Sequence, residues 1–339
     1  MRKDIIEKKE YLLNEQALKG LRYAAYKGAD ENGCEKDCIL RISGNAIDKI
    51  DIFRPADLEC GDIYLGRIEN SNKNIAASFA DIGRNDPVFV PGEYKPGTDM
   101  PLQIKTLPYR EKLAKASVKI PESLKDMVND KAEHALKGAV LYKAPGAFEM
   151  SIKEACETPG AKWVTEDRGL YERAVEYAGN DESILLHSDE NVSLCALYGL
   201  SGKLGRVLSS RVNLKSGAEI VITETEAMCV IDVNSAKALS GKDKEETFLK
   251  LNLEAAREIC IQIAARNISG IIMADMISMK SKESETILLE ELDRLLKGID
   301  PPARLEDITK LGIVEISRKR LKGSINSEKA FLNSTILTK

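Results

Sequence analysis

The chain has 339 residues, room for about two domains of ordinary size or one body with insertions. Its hydrophobic content of 43% supports a sizeable core, no run approaches the ~18 apolar residues of a membrane span, and the first nine residues lack the apolar stretch of a secretory signal. A net charge of −4, two histidines (His134 and His187) and seven scattered cysteines without a CxxC exclude a global basic field, a histidine-rich metal cage and a zinc ribbon, and point to a reduced, cytoplasmic protein.

Residues 1–33 read as two charged helical stretches, centred on Glu7–Leu18 and Leu21–Ala25, that end in a turn at Ala29–Gly33. Cys38–Ile42, a turn at Ser43–Asn45 and Ile47–Phe53 predict a hairpin. Five short extended segments follow: Ile63–Ile68, Ile75–Ile82, Val88–Val90, Met100–Lys105 and Leu113–Ile120. Five strands in about sixty residues predict a small barrel of OB type. Residues 122–204 mix helix and strand without a motif. Val212–Leu214 and Glu219–Thr223 predict a second hairpin, and Ala227–Val233 a third strand. A long amphipathic helix spans Lys244 to Arg266, with Asp243 as its N-cap, Glu246 completing the capping box and an apolar stripe through Leu249, Leu253, Ala256, Cys260 and Ile263. The strand Ile271–Met276 closes a right-handed crossover, which makes its two strands parallel. A helix at Ser284–Leu296, a break at Gly298–Pro302, a strand at Ile313–Ile316 and a basic cluster complete the chain.

Two acidic residues interrupt apolar runs in that crossover: Asp232 after Met228–Ile231, and Asp275 after Ile271–Ala274. Parallel neighbours bring their C-terminal ends together, so the two carboxylates converge where open sheets place ligands. Asn234 shares the face of Asp232 if the strand continues. Aspartates aimed at one spot repel unless a cation lies between them, and oxygen donors without His or Cys favour magnesium, with manganese as the alternative. On pattern alone, acidic residues also cap strand ends as solvated groups, so the pair gains meaning only with its surroundings.

In the barrel, Phe79 shares a face with Ala77 and Asp81, whereas Val88 and Val90 suit the interior and turn Phe89 outward. Two outward rings would form a stacking platform for bases; the alternative places both rings in the core. Lys112, just before the fifth strand, is placed to hold a phosphate. Arg318, Lys319 and Arg320 form either a solvated face or, downstream of a carboxylate site, a contact to a nucleic-acid backbone or to charge developing on a phosphate. Cys229 and Cys260 sit on apolar faces and read as core.

Several runs, in order, resemble the ribonuclease E/G family: Gly61–Arg67, Ala77–Gly83, Glu226–Lys237, Asn252–Ala256, Gly270–Asp275 and Leu311–Arg320. The resemblance implies an α/β and α+β multidomain architecture, with a ribonuclease H-like core, an inserted OB-fold barrel and a DNase I-like C-terminal part. The expected boundaries are 1–55 (extension and first part of the core), 56–121 (barrel), 122–204 (a shortened sensor-like region), 205–277 (core with the aspartates) and 278–339 (C-terminal part). It further implies metal-assisted endonucleolytic hydrolysis of single-stranded RNA to 5′-phosphate and 3′-hydroxyl ends. In that reaction Asp232 and Asp275 bind magnesium, Asn234 supports them, and Phe79, Phe89 and Lys112 contact RNA.

Two departures shape the expectation. The Arg-Thr pair with which the family reads a 5′-monophosphate has Lys153-Glu154 as its nearest match, and a carboxylate there repels phosphate. The zinc-link cysteines after the basic strand are missing, so zinc and a zinc-linked dimer are not expected. The sequence therefore predicts a magnesium-dependent endoribonuclease; the rivals are a non-catalytic RNA-binding protein that keeps the barrel and a DNA nuclease with the same ion chemistry.

Overall fold

Leu21–Ala25, expected as helix, is instead part of a central strand. The computed structural model describes residues 20–54, 57–108, 111–189, 191–235, 244–320 and 322–337; the expected helix at Glu7–Leu18 and the cap Asp243 lie outside them. The described chain begins with β1 (Leu21–Ala29), β2 (Glu35–Ser43) and β3 (Ala46–Phe53). There follow β4 (Ile63–Asn72), β5 (Ala77–Asp81), β6 (Val88–Pro91), β7 (Asp99–Thr106), β8 (Lys115–Ser117), α1 (Glu122–His134) and β9 (Val140–Tyr142). Next come α2 (Ala147–Glu157), β10 (Lys162–Thr165), α3 (Arg168–Ala178), β11 (Ile184–Leu186), α4 (Leu194–Leu197) and α5 (Leu200–Leu208). The last third holds β12 (Arg211–Asn213), β13 (Glu219–Glu224), β14 (Met228–Asn234), α6 (Lys244–Ala265), β15 (Gly270–Asp275), α7 (Lys282–Lys297), β16 (Ala303–Ile308) and β17 (Ile313–Arg318).

These elements fall into two compact units. One is built from the described residues of 20–54, 151–320 and 324–337, the other from those of 57–150 and 322–323.

The first unit contains two sheets. One has the order β11-β10-β1-β2-β3, with β2 antiparallel to β1 and β3, and β10 and β11 parallel to β1. Tyr23, Ala24, Ala25 and Tyr26 are all buried in β1. A strand covered on both faces shows no alternation, and alanine's helical preference then misleads a pattern reading. The second sheet has the order β12-β13-β14-β15-β17-β16. Only β14 and β15 run parallel, joined through α6 as the crossover predicts. Its inner face packs Ile220, Ile231, Ile272 and Val314 with Ala256, Ile263 and Leu292 of the helices.

Helix α6 is buried more widely than its expected stripe. Leu249 and Leu253 are only partly covered, whereas Leu251, Asn252, Ala255 and Ile259 are buried. The helix serves two cores: Ala265 packs into the cluster of the five-stranded sheet. One further difference concerns boundaries. The strands β12 to β17 form a single sheet, which runs across the boundary expected at residue 277, while β2 and β3 pair in the other sheet.

In the second unit, β4, β5, β6, β8 and β7 close into a five-stranded barrel through the β4–β5 pairing, and β9 adds to the outside of β4. The barrel is consistent with the OB-type expectation. Tyr64, Ile68, Ala80, Ile82, Val88, Val90, Leu102 and Ile104 fill it. Gly66 faces this filling so closely that a β-carbon there would sit 2.5 Å from Leu102 Cδ1. Helix α1 packs on the outside through Val128 against Ile63, Leu65 and Leu141.

Candidate active site

On β14, Cys229, Ile231 and Val233 turn inward, which leaves Val230, Asp232 and Asn234 on the outer face. On β15 the same alternation buries Ile272 and Ala274 and exposes Ile271 and Asp275. Asp232 and Asp275 are direct register partners on neighbouring parallel strands. Their Cα atoms are therefore about 4.8 Å apart, with both carboxylates on the same open face. The Asn234 amide donates a hydrogen bond of 2.8 Å to Asp232 Oδ2 and fixes the rotamer of that carboxylate. Neither aspartate has a cationic partner among the described residues.

The donor set fits a hard, well-hydrated cation. Among the described residues no group of three or more His, Cys, Asp or Glu is close enough to hold a metal ion. Two carboxylates alone suit magnesium, which keeps several waters and takes one or two carboxylates plus substrate phosphates.

The backbone beyond Asp275 is held by α6. Asn252 is fully buried; its Nδ2 donates to Ile277 O at 2.8 Å, and its Oδ1 accepts from Ile277 N at 3.0 Å. The Glu245 carboxylate accepts from the amides of Lys280 and Ser281. Glu245 lies in the first turn of the helix, and the sequence pattern assigns Asn252 no role. An Asn on the buried face of an amphipathic helix was the available signal, because a buried amide demands partners.

The basic cluster needs correction. β17 runs antiparallel to β15, so Ile313 pairs with Asp275 and Arg318 with Gly270. Arg318 thus lies five residues, about 17 Å, from the level of Asp275, too far to meet charge on a phosphate held by the aspartates. It is also buried, sharing the inward parity of Val314 and Ile316. Its guanidinium donates to the carbonyls of Pro301, Asp300, Ile263 and Ile268 and to Asn267 Oδ1. Burial brings it down to about 10, still cationic at neutral pH. Arg318 is a structural cross-brace, not an RNA contact. Arg320 is half-buried and donates to the Ser269 hydroxyl and carbonyl, whereas Lys319 is exposed. Cys229 and Cys260 are core residues, and burial pushes both thiols up to about 12.

On the barrel, Phe79 and Phe89 are register partners on β5 and β6, both half-buried and outside the barrel filling. Their ring centroids lie 6.0 Å apart with an interplanar angle of 82°. The row continues on both sides: Asn70 of β4 pairs with Phe79, and Lys115 of β8 pairs with Phe89. Asn70 and Lys115 are exposed, as is Lys112 at the entry to β8. The sequence reading missed Asn70 and Lys115, because register between non-adjacent strands is not written in local spacing.

Lys153 and Glu154 lie on α2. Glu154 accepts from Arg22 at 3.0 Å and lies 3.8 Å from Arg41, while Lys153 pairs with Glu157 at 3.8 Å. Burial opposes the charge on Glu154, but the Tyr23 hydroxyl and the two arginines outweigh it and hold the carboxyl below its usual range.

Among relatives, the chain is 29% identical over 204 residues to a chloroplastic ribonuclease E/G-like protein of Arabidopsis thaliana, covering 57% of this chain and 20% of that protein. It is 39% identical over 131 residues to ribonuclease E of a Synechocystis species, covering 39% and 19% of the two chains. Against ribonuclease G of Haemophilus influenzae it is 34% identical over 144 residues, 42% of this chain and 29% of the other. The matches thus span about a fifth to under a third of these relatives. The Ribonuclease E/G family model matches residues 109–321, a stretch that contains both aspartates, Asn234 and the clamp at Asn252. The chain belongs to the ribonuclease E/G family.

Proposed function

We propose that this protein is an endoribonuclease that cuts single-stranded RNA in RNA processing or decay, leaving 5′-phosphate and 3′-hydroxyl ends. The observation that carries the reading is the register pairing of Asp232 with Asp275 on an open sheet face. A pure RNA binder gains nothing from two convergent carboxylates facing a polyanion. Asp232 and Asp275 would hold magnesium, or manganese in its place. When bound there, the ion would supply an acidified water and neutralisation of charge on the phosphate.

The chain's own groups do the rest. Asn234 holds the Asp232 carboxylate in one orientation, and Asn252 fixes the backbone that follows Asp275. The Phe79–Phe89 pair offers aromatic surface to bases, and Lys112 offers a cation to the backbone. Lys319 and Arg320 keep a proposed role as backbone contacts; Arg318 does not. The ribonuclease H-like and DNase I-like assignments belong to the same proposal. Strand order groups the aspartates with the C-terminal hairpin rather than with residues 37–53.

Cleavage of a fluorescent single-stranded RNA, with and without magnesium, tests the reading. Activity should require the ion and fall by roughly a hundredfold or more in Asp232→Asn and in Asp275→Asn, while RNA binding persists. Cleavage that is metal-independent, or that survives both substitutions, would falsify it. No cleavage at all alongside RNA binding would favour the non-catalytic rival, and equal cutting of a matched DNA would favour a general nuclease. Because Glu154 occupies the nearest match to the end-sensing pair, RNAs with 5′-monophosphate and 5′-hydroxyl ends should be cut at similar rates.

A further inference from the structure

The turn that joins β16 to β17 stands beside Asp275, since Ile313, the first residue of β17, is the register partner of that aspartate. Thr309 builds the turn. Its carbonyl accepts from Gly312 N at 2.9 Å, its hydroxyl accepts from the amides of Leu311 at 3.2 Å and Ile313 at 3.1 Å, and its own amide donates to Ile313 O at 2.9 Å. Gly312 takes a φ of +86°, which lets the chain reverse here without a side-chain clash. So firm a turn would ordinarily present polar residues at its tip. This one presents Leu311, 83% exposed, next to Lys310, also exposed. Lys310 has neither an ion pair nor a side-chain hydrogen bond among the described residues.

We propose that the Lys310–Leu311 turn is an RNA-contacting element at the rim of the aspartate pair. The Lys310 ammonium engages a backbone phosphate and the Leu311 side chain lies against a base or ribose beside the bond to be cut. The proposal rests on the endoribonuclease reading and adds residues to it. Three observations combine. An uncompensated cation and an unburied large aliphatic side chain sit side by side, the turn beneath them is fixed by four hydrogen bonds, and the turn lies at the carboxylate end of β15. A single-stranded RNA offers both a phosphate and an apolar face per nucleotide, and this pair matches that chemistry. Two carboxylates alone repel the phosphates of their substrate in the absence of an ion, and a nearby ammonium offsets that repulsion.

The experiment measures anisotropy of a short fluorescein-labelled single-stranded RNA with the full chain in EDTA, across a salt series, for the wild type, Lys310→Ala and Leu311→Ser. Both side chains are exposed, so the thermal midpoints should match the wild type. Lys310→Ala should weaken binding about fivefold and reduce the slope of log Kd against log salt by about 0.7, the loss of one phosphate contact to a single strand. Leu311→Ser should weaken binding about threefold with the slope unchanged, because no charge is removed. If the wild type binds and the two variants bind as tightly with the same slopes, the turn is not an RNA contact, and Leu311 is exposed for another reason, such as a protein partner. If the wild type binds no RNA in EDTA and none when calcium is supplied in its place, the endoribonuclease reading itself fails and the turn proposal falls with it.

Discussion

Two open sheet faces divide the chemistry of this chain between them. The outer barrel row of Asn70, Phe79, Phe89 and Lys115 combines aromatic rings with a cation and holds no carboxylate. The outer face of the six-stranded sheet presents Asp232, Asn234 and Asp275 among Val230 and Ile271, with no aromatic ring on those two strands. The first set suits holding a flexible polyanion through its bases; the second suits concentrating positive charge where a phosphate must react. In both, register across strands rather than proximity along the chain assembles the group.

That division can be broken at several points. The largest effect is expected from Arg318→Met, which removes a buried guanidinium and the hydrogen bonds it donates to four carbonyls. A loss of about 3–5 kcal/mol of stability is expected, measurable by urea denaturation. If Arg318 were an RNA contact instead, stability would hold and binding alone would suffer. Next in size, Phe79→Ala or Phe89→Ala should weaken RNA binding by about 1–3 kcal/mol per lost stacking partner, leaving magnesium dependence as it was. An equal fall in kcat at saturating RNA would show that the barrel takes part in the reaction step and would dissolve the contrast. The smallest effect is expected from Lys115→Ala, a shift of about 0.7 in the salt slope with little change in thermal midpoint. A silent Lys115 would move the phosphate contact back to Lys112 alone.

Much of this was legible in the residues. The crossover from β14 through α6 to β15 follows from two apolar runs and an amphipathic helix between them, and it dictates that Asp232 and Asp275 meet. The outward turn of Phe89 follows from the valines on either side. The parity of Val314 and Ile316 also places Arg318 inward, but a run of three basic residues reads as one surface feature and masks the strand's alternation. Leu21–Ala25 was hidden for a different reason. A strand covered on both faces and rich in alanine carries neither the period of a half-buried strand nor enough β-branched residues. The pairing of Lys115 with Phe89 depends on how a barrel closes, and no window of adjacent residues contains that information.

The Asn252 clamp has a thermal consequence. Past Asp275 the backbone is tied to side chains of α6, Asn252 at Ile277 and Glu245 at Lys280 and Ser281, rather than to a neighbouring strand along its length. A tether of that kind opens at a lower free energy than the interior of a sheet. On warming, the loop beyond the strand should therefore detach while the rest of the protein is still native, and turnover should fade reversibly some degrees before the sheets come apart.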